Sequence, residues 1–548
     1  MTIPAAPTRP PSSAVFLPKL VTTLRQGYGA AALRADLVAG LTVAIVALPL
    51  AMALAIASGA TPDKGLLTVV VAGFLISALG GSRVQIGGPT GAFVVVVFNV
   101  IQAHGYDGLL LATLMAGVIL VVAGLARLGT YVRYVPEPVV TGFTAGIAVI
   151  IFSSQVRDLL GLHMTGVPAG FIEKWAAFWA ARDSLAPIAV LVSGLALLAI
   201  IALRKWAPRL PGFLIAVVAA SLAVVLLKLP VETVGSRFGA HISIIPHFGL
   251  PAFSLEKMRD LAPSAFTIAF LAGIESLLSA VVADGMIGTR HRSNAELVAQ
   301  GVANTVSALF GGLPATGAIA RTATNVRAGG RTPVAGMAHA LFVLIVMLAF
   351  APLLKFIPLA SLAAILVIVA WNMSEVERFR HLMRAPLGDR AVLLITFALT
   401  VMVDLTMAIA VGVVLAAIVF MHRMSQVTGL DEGEEVHGED DAAMIEPGGV
   451  DGVADYHLRG PLFFGSASGL SEMLKALITA GRLPKAFRLH MGQTPMIDAS
   501  GVGVICDFAE RCRKQGVGVI LVDVQPGPAR VLASMGLGRD AGAVEYEG

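Results

Sequence analysis

Two stretches of this sequence combine residues that break helices with residues that hold ions. Gln85-Ile86-Gly87-Gly88-Pro89-Thr90-Gly91-Ala92-Phe93 and Gly311-Gly312-Leu313-Pro314-Ala315-Thr316-Gly317-Ala318-Ile319 share a Thr-Gly-Ala core, and each opens a short helical run with a proline near its first turn. The first N–H groups of a helix have no acceptor within it and carry the positive end of its dipole, so they hold an anion without a full buried charge. The two breakers offer two such starts, and Arg321, about one turn past the second, is a source of positive charge near the anion. One Gly/Pro cluster alone would mean tight packing or a loop, whereas a matched pair points to an ion site. Arg321 has plainer readings too, as a bridge to Glu275 or a snorkel to the cytoplasmic surface.

Glu275 lies in the middle of the apolar run Phe266 to Ser279, where an ionised carboxylate is costly unless it is paired or lines a wet cavity. It is therefore expected to bind a proton or a cation. Ser279, one helical turn on, shares its face and offers an oxygen ligand; a structural hydrogen bond to a neighbouring helix is the plain alternative. No enzyme constellation competes: the chain has no Walker loop, no zinc spacing among its 11 His and 2 Cys, and no Gly-x-Ser-x-Gly elbow. No cofactor, resident metal or nucleic acid is expected.

These residues must be held by a membrane. Of 548 residues 56% are hydrophobic and 14% charged, and the mean hydropathy of +0.83 lies outside the soluble globular range. Apolar runs at about 37–57, 64–81, 86–103, 108–126, 138–160, 184–203, 211–229, 262–284, 295–311, 316–330, 333–354, 357–372, 390–405 and 406–422 give about fourteen crossings. Lys19, Arg25, Arg34, Arg83, Arg127, Arg204, Arg290, Arg327 and Arg378 then fall on one side, and the opposite short loops are nearly bare. That asymmetry predicts a multi-pass protein with both termini cytoplasmic. With seven spans per half, an inverted repeat would bring the two helix starts face to face near the midplane. In one outer loop, Phe171, Trp175, Phe178 and Trp179 repeat at helical spacing and predict an interfacial helix.

The domain reading is a cytoplasmic N-terminal segment over 1–34, a transmembrane domain over 35–425, an acidic linker over 426–449 and a second domain over 450–548. In the last, strand-like runs (Val453 to Leu458, Ala486 to Met491, Val517 to Val522) alternate with helix-like ones (Ser468 to Ala480, Gly501 to Gln515, Gly527 to Met535), as in a small α/β domain.

Pro49-Leu50-Ala51-Met52-Ala53, Gly88-Pro89-Thr90, and Asn294-Ala295-Glu296-Leu297-Val298-Ala299-Gln300-Gly301 leading to Arg321-Thr322 resemble the sulphate permease (SulP) family of anion transporters. Gly460-Pro461-Leu462-Phe463-Phe464-Gly465 and Ile497-Asp498-Ala499-Ser500-Gly501 resemble the STAS domain that closes these transporters. Gly273-Ile274-Glu275-Ser276-Leu277-Leu278 and Ala370-Trp371-Asn372-Met373-Ser374-Glu375 look most like the bacterial branch containing the C4-dicarboxylate transporter DauA.

The resemblance implies an all-α polytopic membrane domain of seven plus seven spans with two half-helices, then a cytosolic α/β STAS domain. It also implies a core moving against a gate, a homodimer, a bacterial inner membrane, and an anion site at the helix starts Thr90, Gly91 and Ala92 and Gly317, Ala318, Ile319 and Ala320, with Arg321 nearby. Glu275 and Ser279 match positions that hold the cation in sodium-coupled bicarbonate members, and Ser500 matches a phosphorylated serine of soluble anti-sigma antagonists. Leu50 stands where many members carry Gln or Glu, which leaves Glu275 as the better coupling residue. The expected function is proton-coupled uptake of small anions, C4-dicarboxylates first, with sulphate or sodium-coupled bicarbonate transport as alternatives. A reading of another class is a sensor or motor-like protein with vestigial transport, its STAS domain engaging a cytosolic partner.

Overall fold

The computed structural model describes residues 16–130, 136–164, 167–168, 170–208, 210–239, 248–403, 405–432, 452–479, 483–537 and 544–547. The chain divides into two compact units, Met1–Val413 and Val414–Gly548.

The first unit is helical. In chain order it holds α1 (Lys19–Arg25), α2 (Ala30–Ala57), α3 (Pro62–Thr68), α4 (Phe74–Leu79), α5 (Val94–Leu125), α6 (Glu137–Leu160), α7 (Phe171–Ala180), α8 (Pro187–Trp206), α9 (Gly212–Leu226), α10 (Val234–Phe238), α11 (Leu255–Ile287), α12 (Ser293–Leu309), α13 (Ile319–Arg327), α14 (Pro333–Leu354), α15 (Leu359–Met373), α16 (Val376–Leu382) and α17 (Leu387–Met402), and α18 (Leu405–Val427) follows. Each of the fourteen apolar runs read from sequence has a helix in it; among the described residues nine helical stretches are long and apolar enough to cross a membrane by themselves. A π turn over Val69–Gly73 joins α3 to α4, and α5 breaks at Gly105, whose φ of 72° no helix accommodates.

The packing repeats with its halves exchanged. The second part of α5 lies on α12, and α14 lies on α4; α5 lies on α11, and α14 on α2; α6 packs on α17, and α15 on α8. These are the contacts of an inverted repeat in which α2 corresponds to α11, α4 to α12, α6 to α15 and α8 to α17. Glycines let the helices meet at backbone distance: a methyl group on Gly301 would stand 2.6 Å from the Gly117 carbonyl, and one on Gly40 would stand 2.7 Å from that of Ala335.

Two buried carboxylates fasten helix ends. Asp36, at the start of α2, accepts from the Tyr28 hydroxyl (2.9 Å), the backbone N–H groups of Arg331 (2.9 Å) and Thr332 (3.2 Å), and the Thr332 hydroxyl. Thr332 is the N-cap of α14, so Asp36 ties one half to the other. Glu296 of α12 accepts from the N–H groups of Gly81 (2.8 Å) and Ser82 (3.2 Å) just past α4.

At the centre, β1 (Gly87–Gly88) pairs antiparallel with β2 (Thr316–Gly317). Both half-helices leave this pair.

The second unit carries a five-stranded sheet in the order β3 (Gly429–Glu432), β4 (Val453–Arg459), β5 (Ala486–Gln493), β6 (Gly518–Val522), β7 (Glu545–Glu547). The last four strands are parallel and β3 is antiparallel to β4. The connecting helices are α19 (Phe464–Thr479), α20 (Ala499–Lys514) and α21 (Pro526–Ser534). Phe487, Leu489 and Met491 of β5 join Leu458, Phe508 and Leu521 in one core, while the alternate residues Arg488 and His490 face the other way. Asp431 and Glu432, expected from their charge to lie in a solvated hinge, instead stand opposite His457 and Tyr456 in the sheet. Backbone pairing with β4 makes this segment the edge strand of the sheet. Most of the rest of the expected acidic linker lies outside the described residues.

Candidate functional site

The strand pair dictates the site. Gly87 stands opposite Gly317 and Gly88 opposite Thr316. Because the strands run antiparallel, the chain leaves them in opposite directions, and both helices turn their N-termini toward the pair. Thr90 is the N-cap of a 3-10 turn over Gly91–Phe93 that continues into α5, and Ala318 is the N-cap of α13. From Val94 to the break at Gly105 is a rise of about 16 Å, and the nine residues of α13 rise about 14 Å, each near half of a ~30 Å hydrocarbon layer. These are half-helices by length. The prolines stand further back than their first turns: Pro89 precedes the N-cap, and Pro314 precedes β2.

The Thr-Gly-Ala letters are not structural equivalents. The pairing of Gly88 with Thr316 and the N-caps at Thr90 and Ala318 give one and the same match, so the shared letters are two residues out of register. By that relation Thr90 corresponds to Ala318, and Ala92 to Ala320.

A polar shell holds this crossing. The Thr316 hydroxyl lies 2.6 Å from that of Ser276 and donates to the Ala272 carbonyl (3.0 Å), and the Gly317 N–H donates to the Ser276 hydroxyl (3.1 Å). Asn304 of α12 grips Ala315 through both its N–H and its carbonyl, each at 2.8 Å. The Ala318 N–H donates to the Ile86 carbonyl (2.8 Å). These bonds meet the needs of backbone that is neither helix nor extended sheet at membrane depth.

Glu275 is half-buried in α11, and its carboxylate accepts from the Thr90 hydroxyl at 2.8 Å. An N-cap threonine ordinarily turns its oxygen to its own helix; Thr90 makes no such bond, and the leading N–H groups of Gly91 and Ala92 keep their free capacity. Ser279 is buried, with its hydroxyl 3.3 Å from that of Thr322 in α13. Arg321 is 3% exposed and donates through one Nη to the Pro89 carbonyl, while its Nε and other Nη have no partner. No ion pair joins it to Glu275, and its burial excludes a snorkel. Room for the guanidinium comes from Gly88, whose missing methyl would stand 2.5 Å from Arg321 Nη1.

The two starts differ in access. Thr90, Gly91 and Ala92 are buried, and a methyl on Gly91 would meet Met373 of α15 and Ile151 of α6. Ile319 and Ala320, the first turn of α13, are exposed. The Gly317 Cα faces the Gln85 side chain rather than open space. Sequence reasoning passed over Gln85, Ser276, Asn304 and Gly88 as site-forming residues. The signal was present in Asn304 and Gln85, amides in otherwise apolar runs. In the second unit, Ser500 is exposed in the first turn of α20, where Asp498 caps both Ser500 N–H (2.9 Å) and Gly501 N–H (3.0 Å).

A multi-pass helical unit with an inverted repeat and two half-helices meeting at a strand pair is the architecture of a membrane carrier. The model of the sulfate permease family matches residues 33–396, and that of the STAS domain matches 444–541. The chain is 42% identical over 513 residues to YvdB of Bacillus subtilis (strain 168), whose name proposes sulfate transport, covering 93% of this chain and 95% of YvdB. It is 31% identical over 486 residues to the bicarbonate transporter BicA of Picosynechococcus sp. (strain ATCC 27264 / PCC 7002 / PR-6), covering 84% of each. The murine Solute Carrier 26 family member A9 anion transporter, solved in its inward-facing state, shares the fold at a TM-score of 0.83 and 19% identity, over 97% of this chain and 92% of that one. The chain belongs to the sulfate permease family of anion transporters and carries a C-terminal STAS domain.

Proposed function

We propose that this protein is a proton-coupled importer of small anions, taking C4-dicarboxylates of the succinate type, with the anion seated on the half-helix starts at Thr90, Gly91 and Ala92 and at Ile319, Ala320 and Arg321. The observation that carries this reading is the Thr90–Glu275 hydrogen bond, which joins the mid-membrane carboxylate to one helix start and leaves the N–H groups there free. A proton on Glu275 removes the negative charge beside the anion and makes its entry less costly. Arg321 adds a positive charge that does not depend on the dipoles.

In this reading the chain crosses a bacterial inner membrane about fourteen times with both termini inside. The half-helix set (α2 to α5 and α11 to α14) moves against α6, α8, α15 and α17, carrying the anion by an elevator-like motion. The protein works as a homodimer, and the STAS domain serves assembly or a cytosolic partner, with Ser500 as its point of regulation.

A second reading has support in the relatives: YvdB is named for sulfate and BicA for bicarbonate. Sulfate is a dianion that the same two starts suit. Sodium on Glu275 and Ser279 is the rival coupling mode, and the Ser279–Thr322 contact means that the ion would have to displace a hydrogen bond.

Proteoliposome uptake of labelled succinate, fumarate, sulfate and bicarbonate, with a pH or a sodium gradient, tests the proposal. Acid outside should drive succinate uptake without sodium, and Glu275→Gln should abolish the dependence on outside pH while the protein stays folded. Sodium-dependent uptake of bicarbonate alone would replace it with the second reading.

A further inference from the structure

Lys174 is a buried cation that the anion site does not use. It lies in α7, is 3% exposed, and has no hydrogen-bond or carboxylate partner among the described residues. Its contact is with the face of Phe98, the ammonium standing 5.9 Å from the ring centroid. Burial without a counter-charge pushes the Lys174 ammonium below the usual lysine range. On α7, Trp179 is 71% exposed, and Lys174 and Phe178 are the buried residues.

The position of Phe98 gives Lys174 its meaning. Phe98 is two helical turns beyond Gly91 on the same face of the first half-helix, about 10 Å along the axis. Gly91 abuts Met373 of α15 and Ile151 of α6, and Phe98 abuts Lys174 of α7. The Trp175 indole N–H donates to the Ser153 hydroxyl of α6 (3.2 Å), and Phe178 packs with Val156 and Leu162, so α7 is fixed to α6. One seam therefore runs from the helix start at Gly91, between α5 and the set of α6, α7 and α15, to Lys174 at its far end. Across the ring, the turn after α2 gives way at Gly59, where a methyl would stand 3.4 Å from Phe98.

We propose that Lys174 is an entry site for the transported anion at the outer end of this seam, giving up the Phe98 ring for the incoming oxyanion. This rests on the reading of the helix starts as the anion site and of α7 as extracellular. A cation over an aromatic face is held by roughly 0.5–2 kcal/mol, a contact that a charge-assisted hydrogen bond to an oxyanion, worth about 1.5–3 kcal/mol, can replace. A lipid phosphate held there instead would leave the uptake KM unchanged in Lys174→Met. The entry site and the final site are then about two turns apart along α5, and the anion passes from a full charge to helix N–H groups.

The test uses the full chain in right-side-out vesicles and the variant Phe98→Cys, modified from outside by an anionic thiol reagent (2-sulfonatoethyl methanethiosulfonate) and a cationic one (its trimethylammonium counterpart). The ratio of anionic to cationic rates should fall about tenfold when Lys174→Met is added, and Lys174→Arg should keep it. In succinate uptake, Lys174→Met should raise KM about tenfold with the maximal rate within about twofold, a split that a packing defect does not produce. An unchanged rate ratio, or no modification of Phe98→Cys from outside, overturns the entry site. Failure of succinate uptake by the wild-type chain bears on the proposed substrate and leaves the modification ratio to decide on Lys174.

Discussion

The Thr90 hydroxyl, at the N-cap of the first half-helix, donates to Glu275 of α11 at 2.8 Å instead of accepting from its own helix. One bond thus connects a helix start from the first half of the chain with a carboxylate from the second. Occupancy of Glu275 by a proton or a cation changes what Thr90 can do, and Thr90 borders the N–H groups of Gly91 and Ala92.

Replacing Thr90 by Val removes that bond and keeps the shape. Anion affinity in uptake should fall about tenfold, the worth of one hydrogen bond to a charged group, and Thr90→Ser should stay within about twofold. Equal losses in both variants would mean that the hydroxyl is irrelevant.

Gly88 has a φ of 149°, and a methyl there would stand 2.5 Å from Arg321 Nη1. Gly88→Ala should displace the guanidinium from the Pro89 carbonyl, lowering both anion affinity and melting temperature, at a cost of roughly 1–3 kcal/mol. Thermal melting in detergent beside uptake measures both. Wild-type values would show that the strand pair tolerates the side chain.

Much of this geometry is legible in the residues, and the exceptions have physical causes. Glu275 and Arg321 stand out because charge in an apolar run needs a reason. The helix breaks are visible as Gly and Pro, yet the register of the two halves is not. Identical Thr-Gly-Ala letters suggest one alignment, and the backbone pairing of Gly88 with Thr316, with the N-caps at Thr90 and Ala318, sets another, because strand hydrogen bonds fix register across space. Gly91 and Gly317 read as approaches to the anion; in the structure one makes room for Met373 and the other for Gln85. Lys174 was hidden by its neighbours, since four aromatics at helical spacing outweigh one lysine in any periodicity argument. Strand β3 was hidden by charge, because pairing partners more than twenty residues away leave no local trace.

Asp36 is fully buried and caps the N-terminus of α14 from the N-terminus of α2. Asp36→Ala leaves those N–H groups and the Tyr28 hydroxyl unpaired, and should cost on the order of 2–4 kcal/mol. A melting temperature unchanged in detergent would refute the cap. Tyr28 is pushed up to about 12, mainly by burial and then by this bond. The raised value means that the contribution of Tyr28 is complete below its ordinary value of 10.0 and fades as pH climbs toward 12, which absorbance titration of Tyr28→Phe against wild type would detect.

In the second unit, Cys512 is 1% exposed on α20, and burial pushes its thiol up to about 11 from 9.0. The folded domain therefore favours the protonated thiol, and this contribution to stability is present below pH 9 and lost as pH rises through 11. At pH 8 an alkylating reagent should modify Cys512 at least about tenfold more slowly than it does in denaturant, read by mass spectrometry of the peptide. Equal rates in both conditions would mean that α20 does not cover it.

The central claim is that the anion sits on the two half-helix starts. A structure determined with bound selenate, a heavy oxyanion, reads this directly through its anomalous signal. The account predicts density within hydrogen-bond distance of the N–H groups of Gly91 or Ala92 and of Ile319 or Ala320, with Glu275 and Arg321 bordering it. Density confined to another part of the membrane unit, with these N–H groups untouched, would contradict it.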